Sequence, residues 1–261
     1  MPFAVLSSQR SGSHLLFTLL NSHDNISCDG ELFLNRSRTI FKEGEIDRID
    51  ILDFGIKMEK EGKISFNTLT NFEFNKNTDE AVVWGMLIKY SQLGKRLENN
   101  RLLNKICNDF KVIILTRRNK VNMIMSHFLM GHIRRNSSFG NIHYVSEEEI
   151  PLTLSLNNDT IDNLKKKMRR VVSSENKFKK YVKSNTSYIE VYYEDITNNS
   201  SISICPEEIS FKLCSFLGVR REILSSPLIK NSGVQPEKVI TNYYKVYNEL
   251  NDYYNIIMGL H

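Results

Sequence analysis

Near its start the chain reads Gln9-Arg10-Ser11-Gly12-Ser13-His14, and these residue types suit the holding of a tetrahedral anion. Arg10 brings a fixed charge on a fork of donors, and Ser11 and Ser13 add hydroxyls. Gly12 accepts the backbone geometry of a tight turn. A second cationic segment, Arg117-Arg118, ends the apolar run Val112-Ile113-Ile114-Leu115-Thr116. The pattern GxxxxGK[ST] is absent, with no Lys-Ser/Thr pair at the first helix start to reach terminal phosphates and hold Mg²⁺. Where a nucleotide hydrolase would end a buried strand in a metal-binding Asp, this chain has arginines. A cationic strand end holds an anion directly, so a site without metal is expected.

The elements that must position these residues follow from hydrophobic pattern. Phe3-Ala4-Val5-Leu6 is short and apolar, a buried strand over 3–7. Leu15, Leu16, Phe17, Leu19 and Leu20 then open a helix over 13–22. A strand–turn–helix corner aims backbone N–H groups and the positive helix end at whatever the turn holds. Further strands are expected at 82–88, 111–116 and 187–192. Helices are expected near 91–108, 120–130 and 159–183, from Pro206 to a C-cap at Gly218, and over 236–250. Continuous apolar strands alternating with helices give an α/β fold, a parallel central sheet flanked by helices on both faces. Residues 35–80 and 131–158 are polar and Asn-rich, and read as irregular excursions that build a substrate mouth or lid. The runs Lys165-Lys166-Lys167 and Arg169-Arg170 read as a solvated helix face.

Bulk composition narrows the class. The 261 residues, 41% hydrophobic and 25% charged, suffice for one large domain over 1–261. No apolar run approaches a membrane span, and no basic, apolar leader is evident, so a cytoplasmic location is expected. Cys28, Cys107, Cys205 and Cys214 lack CxxC pairing or metal-ligand spacing, and read as buried free thiols. The net charge of +5 suits an anionic small ligand and is too mild to argue for nucleic acid.

Four segments together resemble the sulfotransferases that use 3′-phosphoadenylyl sulfate (PAPS), nearest to the tyrosylprotein branch and the bacterial carbohydrate and nodulation-factor enzymes. Gln9-Arg10-Ser11-Gly12-Ser13 resembles the family's 5′-phosphosulfate loop. Leu115-Thr116-Arg117-Arg118 through Ser126 resembles its 3′-phosphate motif, an Arg followed eight residues later by a Ser, which selects Arg118 over Arg117. Tyr193-Glu194-Asp195-Ile196 with Phe216-Leu217-Gly218 resembles a YEDL…FLG segment. Asn21 through Gly30-Glu31 resembles the stretch carrying a catalytic Glu. Two positions depart from the pattern: Lys120 stands where Pro is common, and His14 where the family has Thr or Trp.

The resemblance implies a P-loop-like sulfotransferase fold and PAPS as co-substrate, with no metal. It implies Arg10, Ser11, Gly12, Ser13 and His14 on the 5′-phosphosulfate and Arg118 with Ser126 on the 3′-phosphate. Tyr193 and Lys230 would contact the nucleotide. Glu31 would act as general base toward an acceptor hydroxyl, with Asp29 as its rival and His14 and His23 as weaker ones. Lys89, ending an apolar strand, is a further group that would face the sulfuryl group or acceptor, and Trp84 reads as core. Two other functions stay open at this stage: a Mg²⁺-dependent P-loop kinase of a small metabolite, and a non-catalytic nucleotide-binding module.

Overall fold

The apolar runs form a five-stranded, wholly parallel sheet in the order β2-β3-β1-β4-β5. Its strands are β1 (Phe3–Ser7), β2 (Ile26–Asp29), β3 (Val83–Lys89), β4 (Lys111–Thr116) and β5 (Tyr188–Tyr192). The computed structural model describes residues 1–31, 83–93, 97, 100–136, 154–197, 204–227 and 236–260. The expected excursion at 35–80, most of that at 131–158, and Lys230 lie outside them. The described chain divides into two compact units, 1–116 with 175–229 and 117–174 with 230–261.

The sheet belongs to the first unit. Its central strand, β1, lies between β3 and β4, where chain order reverses, and open α/β sheets gather ligands at the carboxyl ends of such strands. One face buries Phe3, Val5, Leu87, Ile113 and Leu115 against α1 (Ser13–Leu20) and the helix Glu207–Leu217. The other buries Leu6, Trp84, Met86, Ile88 and Ile114 against α2 (Arg101–Asp109) and Phe178 and Val182. Phe3 pairs in register with Gly85, and its ring occupies the space that a side chain at Gly85 would need.

In the second unit α3 (Lys120–Asn136), the first part of α4 (Asn158–Asn185) and the helix Tyr243–Met258 enclose Met123, Ile124, Ile161, Met168, Val246 and Leu250. Among the described residues no helix is long and apolar enough to cross a membrane.

Several elements differ from the sequence reading, each for a local reason. β2 carries no apolar signal, since Ser27 and Asp29 alternate with Ile26 and Cys28. The helix expected over 91–108 begins only at Arg101, where the Asn100 side chain caps it by accepting from the Leu103 N–H at 3.0 Å. Before it lies a single 3₁₀ turn, Tyr90–Gln92. α3 continues to Asn136, past its expected end near 130. The helix expected over 236–250 is two helices, α7 (Pro236–Val239) and α8 (Tyr243–Met258), the short Tyr193–Thr197 and Glu207–Leu217 being α5 and α6. Leu154 donates to the Val239 carbonyl at 2.7 Å and accepts from Thr241 N–H at 2.8 Å, which draws that backbone out of the helix.

Candidate active site

Residues 8–12 turn the chain from β1 into α1 through two left-handed positions, Arg10 at φ 62° and Gly12 at φ 89°. Gly12 suits that conformation. Arg10 holds it at a cost on the order of 1–3 kcal/mol, which the surroundings must offset. Ser11 is fully buried and its hydroxyl donates to the Ser8 carbonyl at 2.7 Å. Its hydrogen is therefore committed to shaping the loop. Gly12 stands at the N-cap of α1 and has no side chain with which to cap it, and no acidic residue occupies the first turn. The helix thus presents its N–H groups and dipole to an anion. His14 is exposed and stacks on Phe17 with ring centroids 5.6 Å apart. The Tyr193 ring lies against the loop: a Cβ on Gly12 would fall 2.2 Å from its Cδ2.

Lys89, the last residue of β3, is in register with Ser7, the last of β1. Its Nζ donates to Ser7 Oγ at 3.1 Å and to Ser13 Oγ, and lies 3.5 Å from Glu31 Oε1. Burial lowers its ammonium from the usual lysine range, Glu31 opposes that shift, and Arg10 adds to it. Glu31 is set in place by the sheet, because Gly30 extends the β2–β3 pairing by accepting from Leu87 N–H at 3.4 Å. Its side chain remains 25% exposed, enough to meet a substrate. The structure therefore joins Ser7, Ser13, Lys89 and Glu31 in direct contacts, with Arg10 close enough to act on Lys89 electrostatically.

The rival bases are placed differently. His23 is fully buried; its Nδ1 accepts from Asn25 N–H at 3.0 Å, so Nε2 carries the proton toward the Arg220 carbonyl at 2.8 Å. Both ring nitrogens are occupied. Asp29 is 3% exposed and its Oδ2 accepts from Trp84 Nε1 at 2.9 Å, joining the core tryptophan to the end of β2. Burial pushes the Asp29 carboxyl up to about 7, against the opposing pull of the Trp84 bond.

That shift has a measurable consequence. The unfolded chain loses this proton near pH 3.8 and the folded chain near 7. Stability therefore falls as pH rises between those values and levels off above them, by about 4 kcal/mol in all. Asp29→Asn keeps an acceptor for Trp84 and is expected to flatten that decline. Urea unfolding at pH 4.5 and 7.5 measures it, and a wild-type-sized gap in the variant would contradict the assignment.

In the second unit, Arg118 is exposed just ahead of α3, and Asn119 caps that helix by accepting from Asn122 N–H at 2.8 Å. Ser126 is half-buried at the end of the helix's second turn, and Lys120 is buried in its first. Sequence reasoning missed Ser7 as a partner of Lys89. It also missed the pairing of Lys89 with Glu31, since the strand register that joins them involves residues 58 positions apart. No local signal carries that pairing.

The fold is thus a parallel α/β sheet flanked by helices, whose central strand opens into a glycine-containing turn beside a buried lysine. Among solved structures, the chain is similar to the sulfotransferase domain of the Synechococcus PCC 7002 olefin synthase. The two are 14% identical over 97% of this chain and 86% of that one, with a TM-score of 0.42. It is also similar to the sulfotransferase STF9 of Mycobacterium avium, at 11% identity and a TM-score of 0.42. That match covers 84% of this chain and 64% of that one, so the chain spans less than two thirds of STF9. No protein-family model and no curated protein matches the sequence. Overlaps this loose bear no weight on chemistry, which must come from the residues themselves.

Proposed function

We propose that the protein transfers the sulfuryl group of PAPS to an acceptor hydroxyl, releasing adenosine 3′,5′-bisphosphate, without a metal. The observation that carries this reading is the Lys89 cluster. One buried ammonium reaches the first residue of α1, whose N-cap is Gly12, and a partly exposed carboxylate. Anion-binding groups and a proton acceptor thus share one end of the sheet.

The roles follow from chemistry. The loop backbone and Arg10 hold the 5′-phosphosulfate, and Arg10 with Lys89 offsets charge that builds on the departing phosphate oxygen. Preorganised charges in a dry site are worth several kcal/mol, on the order of what an oxyanion-hole donor contributes. The acceptor oxygen forms a bond to sulfur in line with the bridging S–O bond, which breaks toward the 5′-phosphate. Its hydroxyl proton passes to Glu31. The acceptor is a carbohydrate, lipid-linked or small-molecule alcohol. Arg118 and Ser126 are assigned to the 3′-phosphate by the motif, where an arginine fork suits a dianion, and Tyr193 and Lys230 to the nucleotide on the same basis.

Thermal unfolding with EDTA throughout tests the reading. Adenosine 3′,5′-bisphosphate at a hundredfold excess over its Kd is expected to add about 2.7 kcal/mol, hence roughly 5 °C or more in Tm, with 5′-AMP well below it. Stabilisation by ATP only when Mg²⁺ replaces EDTA would instead overturn the reading in favour of a Mg²⁺-dependent nucleotide site. Transfer from labelled PAPS to a panel of alcohols then identifies the acceptor.

A further inference from the structure

On the sheet face opposite α1, Ser8 just past β1, Thr116 at the end of β4 and Glu190 in the middle of β5 meet carboxylate and lysine side chains of α4. Glu175, 3% exposed, accepts from Ser8 Oγ at 3.2 Å through Oε2, while Lys179 Nζ holds its Oε1 at 3.2 Å. Lys179 also reaches Glu190 Oε1 at 2.5 Å. Glu190 takes the Thr116 hydroxyl at 3.0 Å and lies 3.5 Å from Lys183. Two carboxylates and two lysines are thus mutually paired beneath the strand ends. None of these residues belongs to the machinery assigned above.

A buried ion pair is a weak source of net stability, because desolvation cancels most of the attraction. What such a network supplies is direction. Lys179 fixes one oxygen of Glu175 and leaves the other aimed at Ser8, the first residue past β1. The Ser8 carbonyl in turn receives the Ser11 hydroxyl. Between those two serines lie Gln9 and the left-handed Arg10, and Gly12 follows.

We propose that Glu175 is a positioning residue for the anion loop: by accepting from Ser8 it anchors the Ser8–Ser11 link that keeps Arg10 and Gly12 in their left-handed conformations. Only the ligand used in the test rests on the sulfotransferase reading. The mechanical claim stands on the contacts alone.

The test compares E175A, S8A and the double variant with V182A, which empties a buried position on the same helix without touching Ser8. Hydrogen–deuterium exchange of residues 9–14 is followed without ligand, and the Kd for adenosine 3′,5′-bisphosphate is measured by calorimetry. E175A and S8A are each expected to speed loop exchange at least fivefold and weaken binding about tenfold. The double variant should be no worse than the worse single, because both cut one link. V182A should lower Tm and leave both readouts unchanged. S8A carries the test should E175A not fold. Loop exchange in E175A and S8A no faster than in V182A would overturn the proposal, whatever the affinities. Faster loop exchange in a protein whose wild type binds no bisphosphate would uphold the positioning role and defeat the sulfotransferase reading instead.

Discussion

Glu31→Gln is expected to lower kcat by about 10²–10⁴, the range of general acid–base catalysis, while changing the affinity for adenosine 3′,5′-bisphosphate by less than about twofold. The substitution removes a proton acceptor and keeps an oxygen that can still face Lys89, which lies 3.5 Å away. The loop contacts of Lys89, to Ser7 and Ser13, do not depend on that carboxylate. Binding and chemistry should therefore separate, which a purely structural ion pair would not achieve. Steady-state transfer from PAPS gives kcat, and calorimetry with the product gives affinity. Asp29→Asn serves as the comparison, since its carboxyl is buried against Trp84 and its loss should leave turnover within a few-fold. Equal losses of kcat in the two variants would remove Glu31 from its role as base.

The readable part of this protein is the part that local pattern encodes. Phe3 to Leu6, Val112 to Leu115 and the turn between Gln9 and His14 announce a strand, a strand and a strand-to-helix corner, because burial on both faces forces continuous apolar runs and a polar, glycine-containing turn interrupts them. β2 escapes that logic: at four residues, with Ser27 and Asp29 in it, its strand character comes from pairing with β3 and not from composition. The site divides in the same way. Arg10, Gly12 and Ser13 are legible as types in a turn, whereas the Ser11 hydroxyl turned inward is a tertiary outcome. Glu175 and Lys179 look like an ordinary i,i+4 pair on a charged helix. Only the packing of that helix over the strand ends buries Glu175 and gives it Ser8 as a partner.

Gly12→Ala is expected to weaken adenosine 3′,5′-bisphosphate binding at least a hundredfold while the sheet stays folded. Two separate costs converge on one methyl group. At φ 89° an L-residue is strained by about 1–2 kcal/mol, and the new Cβ would sit 2.2 Å from the Tyr193 ring, far inside contact distance. Relief requires that the loop backbone move or that Tyr193 leave its place against the α1 face of the core. The first route misdirects the N–H groups at the start of α1, and the second opens the wall behind them. Tyr193→Ala placed on the Gly12→Ala background separates the two costs. It clears the steric clash and leaves the backbone strain, while costing whatever Tyr193 itself gives the nucleotide. Measured against Tyr193→Ala alone, Gly12→Ala should therefore cost less affinity than it does against the wild type, a partial recovery. Calorimetry on the two single variants and the double variant measures that recovery. Wild-type affinity in Gly12→Ala alone would mean that the turn does not hold the ligand, because no anion gripped by those N–H groups could ignore so large a displacement.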